Sequence, residues 1–258
     1  MVDDIVRNYN QRVHILEQFA AFFQEKLLNS SAALEYCSSR GLTREALEMF
    51  KIGYDSGLQE FINTSNFDIS LLVELGILST EDNQEFYDKF SKRIIFPMFD
   101  IVGNIIGFSG RVWLDKDTRS KYINSNLSIT YQKALNLFGL YHAIPFITKY
   151  NLALIVEGNL DVITCHMNKI PIAVGPCGTA FTEEHLMLLK NFTNRLLYCG
   201  DNDAAGRKAA ERFTKITKSD TAIEVQFLEL KDSQDIDKFI REYGPEPVIN
   251  TINKMYNA

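Results

Sequence analysis

The sequence predicts an α/β protein in two parts. A mixed α+β N-terminal subdomain with a basic block comes first, and a domain with a mainly parallel sheet flanked by helices follows. Three observations carry this reading. From Leu152 onward, short apolar runs alternate with helical segments, the pattern of a parallel sheet covered on both faces. At Arg93 the hydrophobic period changes from helical to strand-like. Charge is also segregated. Residues 89–133 hold eight bases (Lys89, Lys92, Arg93, Arg111, Lys116, Arg119, Lys121, Lys133) against three acids (Asp100, Asp115, Asp117), a local +5. With a total of −6, the rest of the chain is −11. The boundary is set between residues 138 and 139, giving domains 1–138 and 139–258.

The elements follow in order. VHILEQFAAFFQEKLL has apolar residues at helical spacing, and Thr43 is placed to cap the helix of Leu47, Met49 and Phe50. Residues 55–70, polar and bearing Gly, Asn and Ser, read as a loop. Residues 70–90 read as helix again, with a break and Thr80 as a cap. RIIFPMFD and NIIGFSGRVW are strands joined by a turn at Val102-Gly103-Asn104, a hairpin in which Pro97 marks an edge or a bulge. A basic turn and a helix near 139–150 lead to the alternating part. There, strands LALIVE, IPIAVG, RLLYCG and AIEVQFLEL precede helices NLDVITCHMN, TEEHLMLLKN, AGRKAAERFTKI and DIDKFIREYG.

Composition excludes several classes. At 258 residues, 46% hydrophobic and 23% charged, the chain has ordinary globular values, which rules out disordered and collagen-like chains. No apolar run approaches a membrane span, and acids occupy the N-terminus where a signal peptide has bases, so the chain reads as soluble, intracellular and away from membranes. Cys37, Cys165, Cys177 and Cys199 form no CxxC and read as small core residues; zinc is not expected. A uniformly acidic chain would argue against nucleic acid, but the basic block reverses that inference.

Acids stand just after the predicted parallel strands. Glu157 ends LALIV, Asp201 and Asp203 follow RLLYCG, and Asp235 and Asp237 follow AIEVQFLEL. Ligands of open α/β sheets bind beyond the carboxyl ends of the strands, so these side chains should converge on one edge. Crowded carboxylates repel unless a cation neutralises them, and an all-oxygen set suits a hard divalent ion, Mg²⁺ by default. For any single acid the plainer reading is a helix cap, above all for Asp203 and Asp235. Asp161, one helical turn from Glu157, either lines the same cleft or faces the helix dipole. Gly178 and Thr179 lie in a βα turn able to offer N–H groups to phosphate. No GxxxxGK[ST] and no GxGxxG occurs, which excludes a P-loop NTPase and speaks against a Rossmann dinucleotide fold.

EGNLDV (157–162), GTAFT (178–182) and DNDAAGRKAA (201–210) together resemble the Toprim domain of primases, topoisomerases and some nucleases. The upstream segments ALEYCSSRGLTREALEMFKIGY (33–54), RIIFPMFDIVGNIIGFSGRV (93–112), KYINS (121–125) and YQKALNLFGLYHA (131–143) closely resemble the RNA-polymerase core of bacterial DnaG-type primases. The family's Glu-Gly-Tyr-Met-Asp has Asn159 and Leu160 in the middle here. Its Asp-Gly-Asp is Asp201-Asn202-Asp203, and its Asp-Pro-Asp is Asp235-Ile236-Asp237. Every carboxylate is kept.

The resemblance implies template-directed transfer of ribonucleotides to a 3′-hydroxyl with Mg²⁺ or Mn²⁺. Glu157 would be metal ligand or general base, Asp201 and Asp203 metal ligands, with Asp235, Asp237 and Asp161 beside them. Arg93, Arg111, Lys121, Tyr122, Asn124 and Lys133 would meet single-stranded DNA template or NTPs, with Tyr122 stacking on a base. Lys89, Lys116 and Arg119 read as solvated charges. Implied partners are DNA template, NTPs, the RNA primer and, through a C-terminal domain absent from this sequence, the replicative helicase. The implied location is the bacterial cytoplasm. Zinc-binding and helicase-binding parts are not in the sequence, which therefore reads as an excised catalytic core. The alternatives are a Toprim nuclease and a non-catalytic Toprim recombination or assembly module. A topoisomerase would need a further strand-passage domain.

Overall fold

A computed structural model describes residues 2–80, 85–114, 116–176, 178–218, 220–230 and 235–256. The chain divides into two compact units, residues 1–132 and 133–258. The sequence expectation sets the boundary after residue 138. The six-residue difference arises because Leu137 and Phe138 form a strand that pairs with Pro176 and Gly175.

The first unit opens with helices α1 (Val2–Leu28), α2 (Ser31–Ser39) and α3 (Arg44–Met49). Thr43 caps α3 by accepting the Ala46 N–H at 3.2 Å, as its position predicts. Strand β1 (Gly53–Tyr54) follows. Residues 55–70 are not a loop as expected: α4 (Gln59–Ser65) and the start of α5 (Ile69–Glu74) occupy them. Aromatic packing decides this. Phe61 stacks on Phe22 at 4.4 Å and meets Phe19 edge-on at 5.1 Å, contacts that local composition does not reveal.

The helix expected through residues 70–90 is also corrected. After α5 the chain forms an antiparallel pair, β2 (Leu78–Thr80) with β3 (Phe86–Asp88), so Thr80 ends a strand instead of capping a helix. The predicted hairpin is β4 (Ile94–Phe99) and β5 (Ile105–Arg111). Its turn is held by Asp100 Oδ1, which accepts the N–H groups of Val102 and Asn104, and Gly103 supplies a φ of 96°. With β6 (Tyr122–Asn124) the sheet runs β1-β4-β5-β6. Pro97 is tolerated because β1 pairs only with Ile94 and Ile95, and the β4–β5 register shifts just past it, between Met98 and Phe99. The core of this unit joins Phe19 and Phe23 of α1 to Ile95 and Phe108 of the sheet.

The second unit holds β7 (Leu137–Phe138), α6 (Leu140–Tyr150), β8 (Ala153–Ile155), α7 (Asn159–Met167), β9 (Ala173–Pro176), α8 (Glu183–Leu189), β10 (Arg195–Tyr198), α9 (Ala204–Lys218), β11 (Glu224–Phe227), α10 (Ile236–Tyr243) and α11 (Glu246–Tyr256). The order is β11-β10-β8-β9-β7, parallel except for β7. This is the predicted mainly parallel sheet with flanking helices. β8 is wholly buried in the middle, whereas β11 is an exposed edge. Cys37, Cys165 and Cys199 are buried free thiols, and Cys177 lies outside the described residues. Among the described residues no helix is long and apolar enough to cross a membrane.

Candidate functional site

Parallel pairing builds the acidic rim of the second unit. Ile155 of β8 lies opposite Tyr198 of β10, so the segments leaving these strands emerge side by side. Glu157 Oε1 there accepts the Asp201 N–H at 3.1 Å and the Tyr198 hydroxyl at 3.3 Å. Asp201 is drawn tight against α9 by Gly206: a Cβ on that glycine would lie 1.9 Å from the Asp201 carbonyl oxygen.

The remaining acids fasten the rim to its helices. Asp161 Oδ2 accepts the Gly158 N–H at 2.8 Å, and its Oδ1 accepts the Asp237 N–H at 3.2 Å, joining α7 to α10. Asp237 is buried; it accepts from Thr164 Oγ1 at 2.7 Å and from Arg241 at 2.9 and 3.1 Å. Asp203 Oδ1 caps α9 through the Gly206 N–H at 2.8 Å, and Asp235 Oδ1 caps α10 through the Lys238 N–H at 2.6 Å. The cap reading of these two acids is therefore met.

Electrostatics ties the acids together. Burial, then the charges of Asp235 and Asp201, push the Asp161 carboxyl up to about 8. The Cys199 thiol is pushed up by burial and by Asp161, Asp201, Glu157 and Asp235. One thiol thus senses acids from three strand ends. Glu157, Asp201 and Asp235 are partly exposed and Asp203 is exposed, while Asp161 and Asp237 are buried. Among the described residues no three carboxylate, imidazole or thiol groups form a ready metal cage. The donor set, all oxygen and mutually repelling, still fits a hard divalent cation that takes one or two protein carboxylates and fills its shell with water and phosphate.

Gly178 adopts φ 70°, and its N–H turns back onto the Pro176 carbonyl at 3.0 Å, within the turn expected to offer N–H groups to phosphate; Thr179 beside it is exposed. Lys133 falls in this second unit, apart from the rest of the basic block. It is half-buried, and its carbonyl accepts from His185 Nε2 at 2.9 Å.

In the first unit, a cleft of about 920 Å³ is lined by Tyr36, Arg40, Arg111, Trp113, Arg119 and Lys121, among others. The Arg111 guanidinium lies 5.5 Å from the Tyr36 ring and 5.7 Å from the Tyr122 ring, a cation–π pair on either side. Lys121 is exposed at the cleft, and Asn124 lies on β6 opposite Ser109. Arg93, expected to meet DNA or NTPs, is buried. Only 2% exposed, it donates to the carbonyls of Ser120 at 2.8 Å and Gly110 at 3.3 Å, so it positions the strand that presents Lys121. Arg119 is ion-paired to Asp117 at 2.6 Å, and Lys89 donates to Asn126, so neither is merely solvated.

The sequence reading did not single out Tyr198, Arg241, Arg40, Tyr36 or Trp113. Arg241 was detectable as the i+4 partner of Asp237. The others required strand register and tertiary packing.

The sheet order and the acids at its carboxyl edge define a Toprim-type domain. Two family models match, the DNA primase catalytic core N-terminal domain over residues 22–144 and a Toprim-like domain over residues 154–240. The DNA primase of Haemophilus influenzae is 36% identical over 239 residues, which cover 90% of this chain and 40% of the relative. A structure of the DnaG primase catalytic domain bound to ssDNA aligns with TM-score 0.86 at 31% identity, covering 96% of this chain and 82% of that one. The Escherichia coli primase catalytic core aligns with TM-score 0.84 at 32% identity, covering 94% and 79%. The chain belongs to the DnaG-type primase catalytic-core family, and it spans about 40% of the length of the curated relative from Haemophilus influenzae.

Proposed function

We propose that the chain is a primase catalytic core, making short RNA primers on single-stranded DNA from NTPs during bacterial replication in the cytoplasm. The observation that carries this reading is the bridge from Glu157 to the Asp201 N–H, which sets acids from separate strand ends on one rim. The single-stranded DNA held by one related structure supports a DNA template.

In this reading Asp201, Asp203 and Asp235 would hold Mg²⁺ or Mn²⁺ and Glu157 would serve as ligand or as general base, while Asp161 and Asp237 brace them. The bound ions would polarise the attacking 3′-hydroxyl and neutralise charge on the triphosphate as pyrophosphate leaves. Tyr198 orients the Glu157 carboxylate through its hydroxyl, and Glu157 stands ready to take the proton from the 3′-hydroxyl. Arg111 and Lys121 hold strand or triphosphate phosphates in the first unit, with Tyr122 behind Arg111 and Asn124 on the neighbouring strand. Lys133 and the Gly178-Thr179 turn are assigned to phosphate in the second unit. The RNA primer is the product, and a replicative helicase is the partner of the longer protein.

Incubation with single-stranded template, labelled NTPs and Mn²⁺ tests the proposal. RNA products that vanish in Glu157→Gln are expected. Metal-dependent cleavage of DNA without RNA synthesis would favour a Toprim nuclease instead.

A further inference from the structure

Beside the acidic rim lies a second opening that the roles above do not use. It is a cleft of about 460 Å³, lined by Tyr198, Asp201, Arg207, Phe227, Leu228 and Glu229, among others. Its size falls within the ordinary range for a small-molecule site.

The sequence builds each wall for a separate reason. Tyr198 and Phe227 are register partners on β10 and β11, and the Leu228 N–H extends the ladder to the Tyr198 carbonyl at 2.8 Å. This places the Phe227 ring 5.8 Å from that of Tyr198 and 6.2 Å from Phe213. Tyr198 is itself stacked on Phe213 at 4.5 Å. Tyr198 and Phe213 are buried behind it, yet Phe227 remains 47% exposed, a costly arrangement for a large apolar ring on an edge strand. Opposite it, Gly206 lets α9 close on Asp201, and the next residue, Arg207, is an exposed cation. Glu229 adds an exposed acceptor.

A flat apolar platform, a cation, an acceptor and a shared edge with a cation-attracting carboxylate are the complements of one chemical unit. That unit is a nucleoside phosphate. Its base would lie on Phe227, its exocyclic amino group near Glu229, and its phosphate toward Arg207 and the Asp201 rim. We propose that the cleft between β11 and the start of α9 is a nucleotide subsite, with Phe227 as stacking platform and Arg207 as phosphate contact. This rests on the polymerase reading only for where the occupant comes from: an incoming NTP or the 3′ end of the RNA.

Equilibrium dialysis of the full chain with labelled ATP and Mg²⁺ tests it, with a labelled RNA dinucleotide as the second arm and melting temperature as a folding control. Phe227→Ala is expected to weaken binding of ATP or of the dinucleotide about tenfold, the size of one lost stacking contact, and Phe227→Trp to restore it. Arg207→Ala should weaken the same ligand and flatten its salt dependence. The arm that responds identifies the source. If both ligands bind Phe227→Ala and Arg207→Ala as tightly as the unmodified chain, or if the unmodified chain binds neither, the proposal is overturned. Nucleotide binding that depends on Phe227 in a chain that makes no RNA would count against the polymerase reading and leave the subsite standing.

Discussion

Glu157 Oε1 accepts the backbone N–H of Asp201 at 3.1 Å, so a side chain leaving one strand fixes the backbone leaving its neighbour. Geometry at the rim thus depends on main-chain positions, and the charges can be altered while the shape is kept.

Glu157→Gln is the first use of that separation. The amide oxygen still accepts from Asp201 and Tyr198, so the melting temperature should hold. Nucleotide incorporation should fall by about 100-fold or more as the charge and the base are lost. Undiminished incorporation in a primer-extension assay would remove Glu157 from the chemistry.

Arg241→Ala addresses the bracing layer. It leaves the buried Asp237 carboxylate with Thr164 as its remaining side-chain donor among those described above. Destabilisation on the order of 1–3 kcal/mol is expected by urea denaturation, discounted because Arg241 is partly solvated. An unchanged midpoint would show that Asp237 does not need its cation.

Asp55 gives a pH prediction. It is fully buried, and burial together with Asp88 pushes its carboxyl up to about 9. The folded chain therefore keeps a proton that the unfolded chain has already lost, and stability falls as pH rises from about 4 to about 9. Asp55→Asn removes the proton and should flatten the fall, with a melting temperature several degrees above the parent at pH 9. Parallel curves for the two proteins would contradict the burial argument.

Lys121→Ala should weaken binding of single-stranded DNA and reduce the slope of log K against log salt by about 0.7, one phosphate contact on a single strand. Fluorescence anisotropy across a salt series reads this directly. A slope equal to that of the parent would place Lys121 away from the strand.

Gly206→Ala should be among the most damaging single-methyl changes, because the new Cβ would sit 1.9 Å from the Asp201 carbonyl. Either α9 or Asp201 must move. Loss of metal-induced thermal stabilisation, with helical content kept, is the expected result; a Mg²⁺ response like the parent's would show that the loop absorbs the methyl.

The alternating half was legible because each strand there is a short apolar run bounded by turn residues, and each helix begins with a capping residue or glycine. Asp203 and Asp235 could be read as caps from position alone, and they are. The first half was less legible. Phe61 forms a helix because of Phe19 and Phe22, far away in sequence, and a polar window gives no sign of that. Thr80 looked like a cap because Ser/Thr before acids is a helix signal, yet its strand pairs with residues 86–88. Arg93 shows the same limit at the site. Its motif marks it as important, but only the fold shows that it is buried and donates to carbonyl groups.

Asp203 and Asp235 each hold the first turn of a helix with the same side chain that is proposed to hold a metal ion. An alanine scan would therefore confound two kinds of damage, since truncation frays the helix start as it deletes the charge. Asparagine keeps the acceptor for the cap and removes only the anion. The same constraint splits substitutions at either position into two kinds: a residue that cannot cap loosens the helix start as it deletes the charge, whereas Asn, Ser or Thr keeps the helix and loses the charge alone.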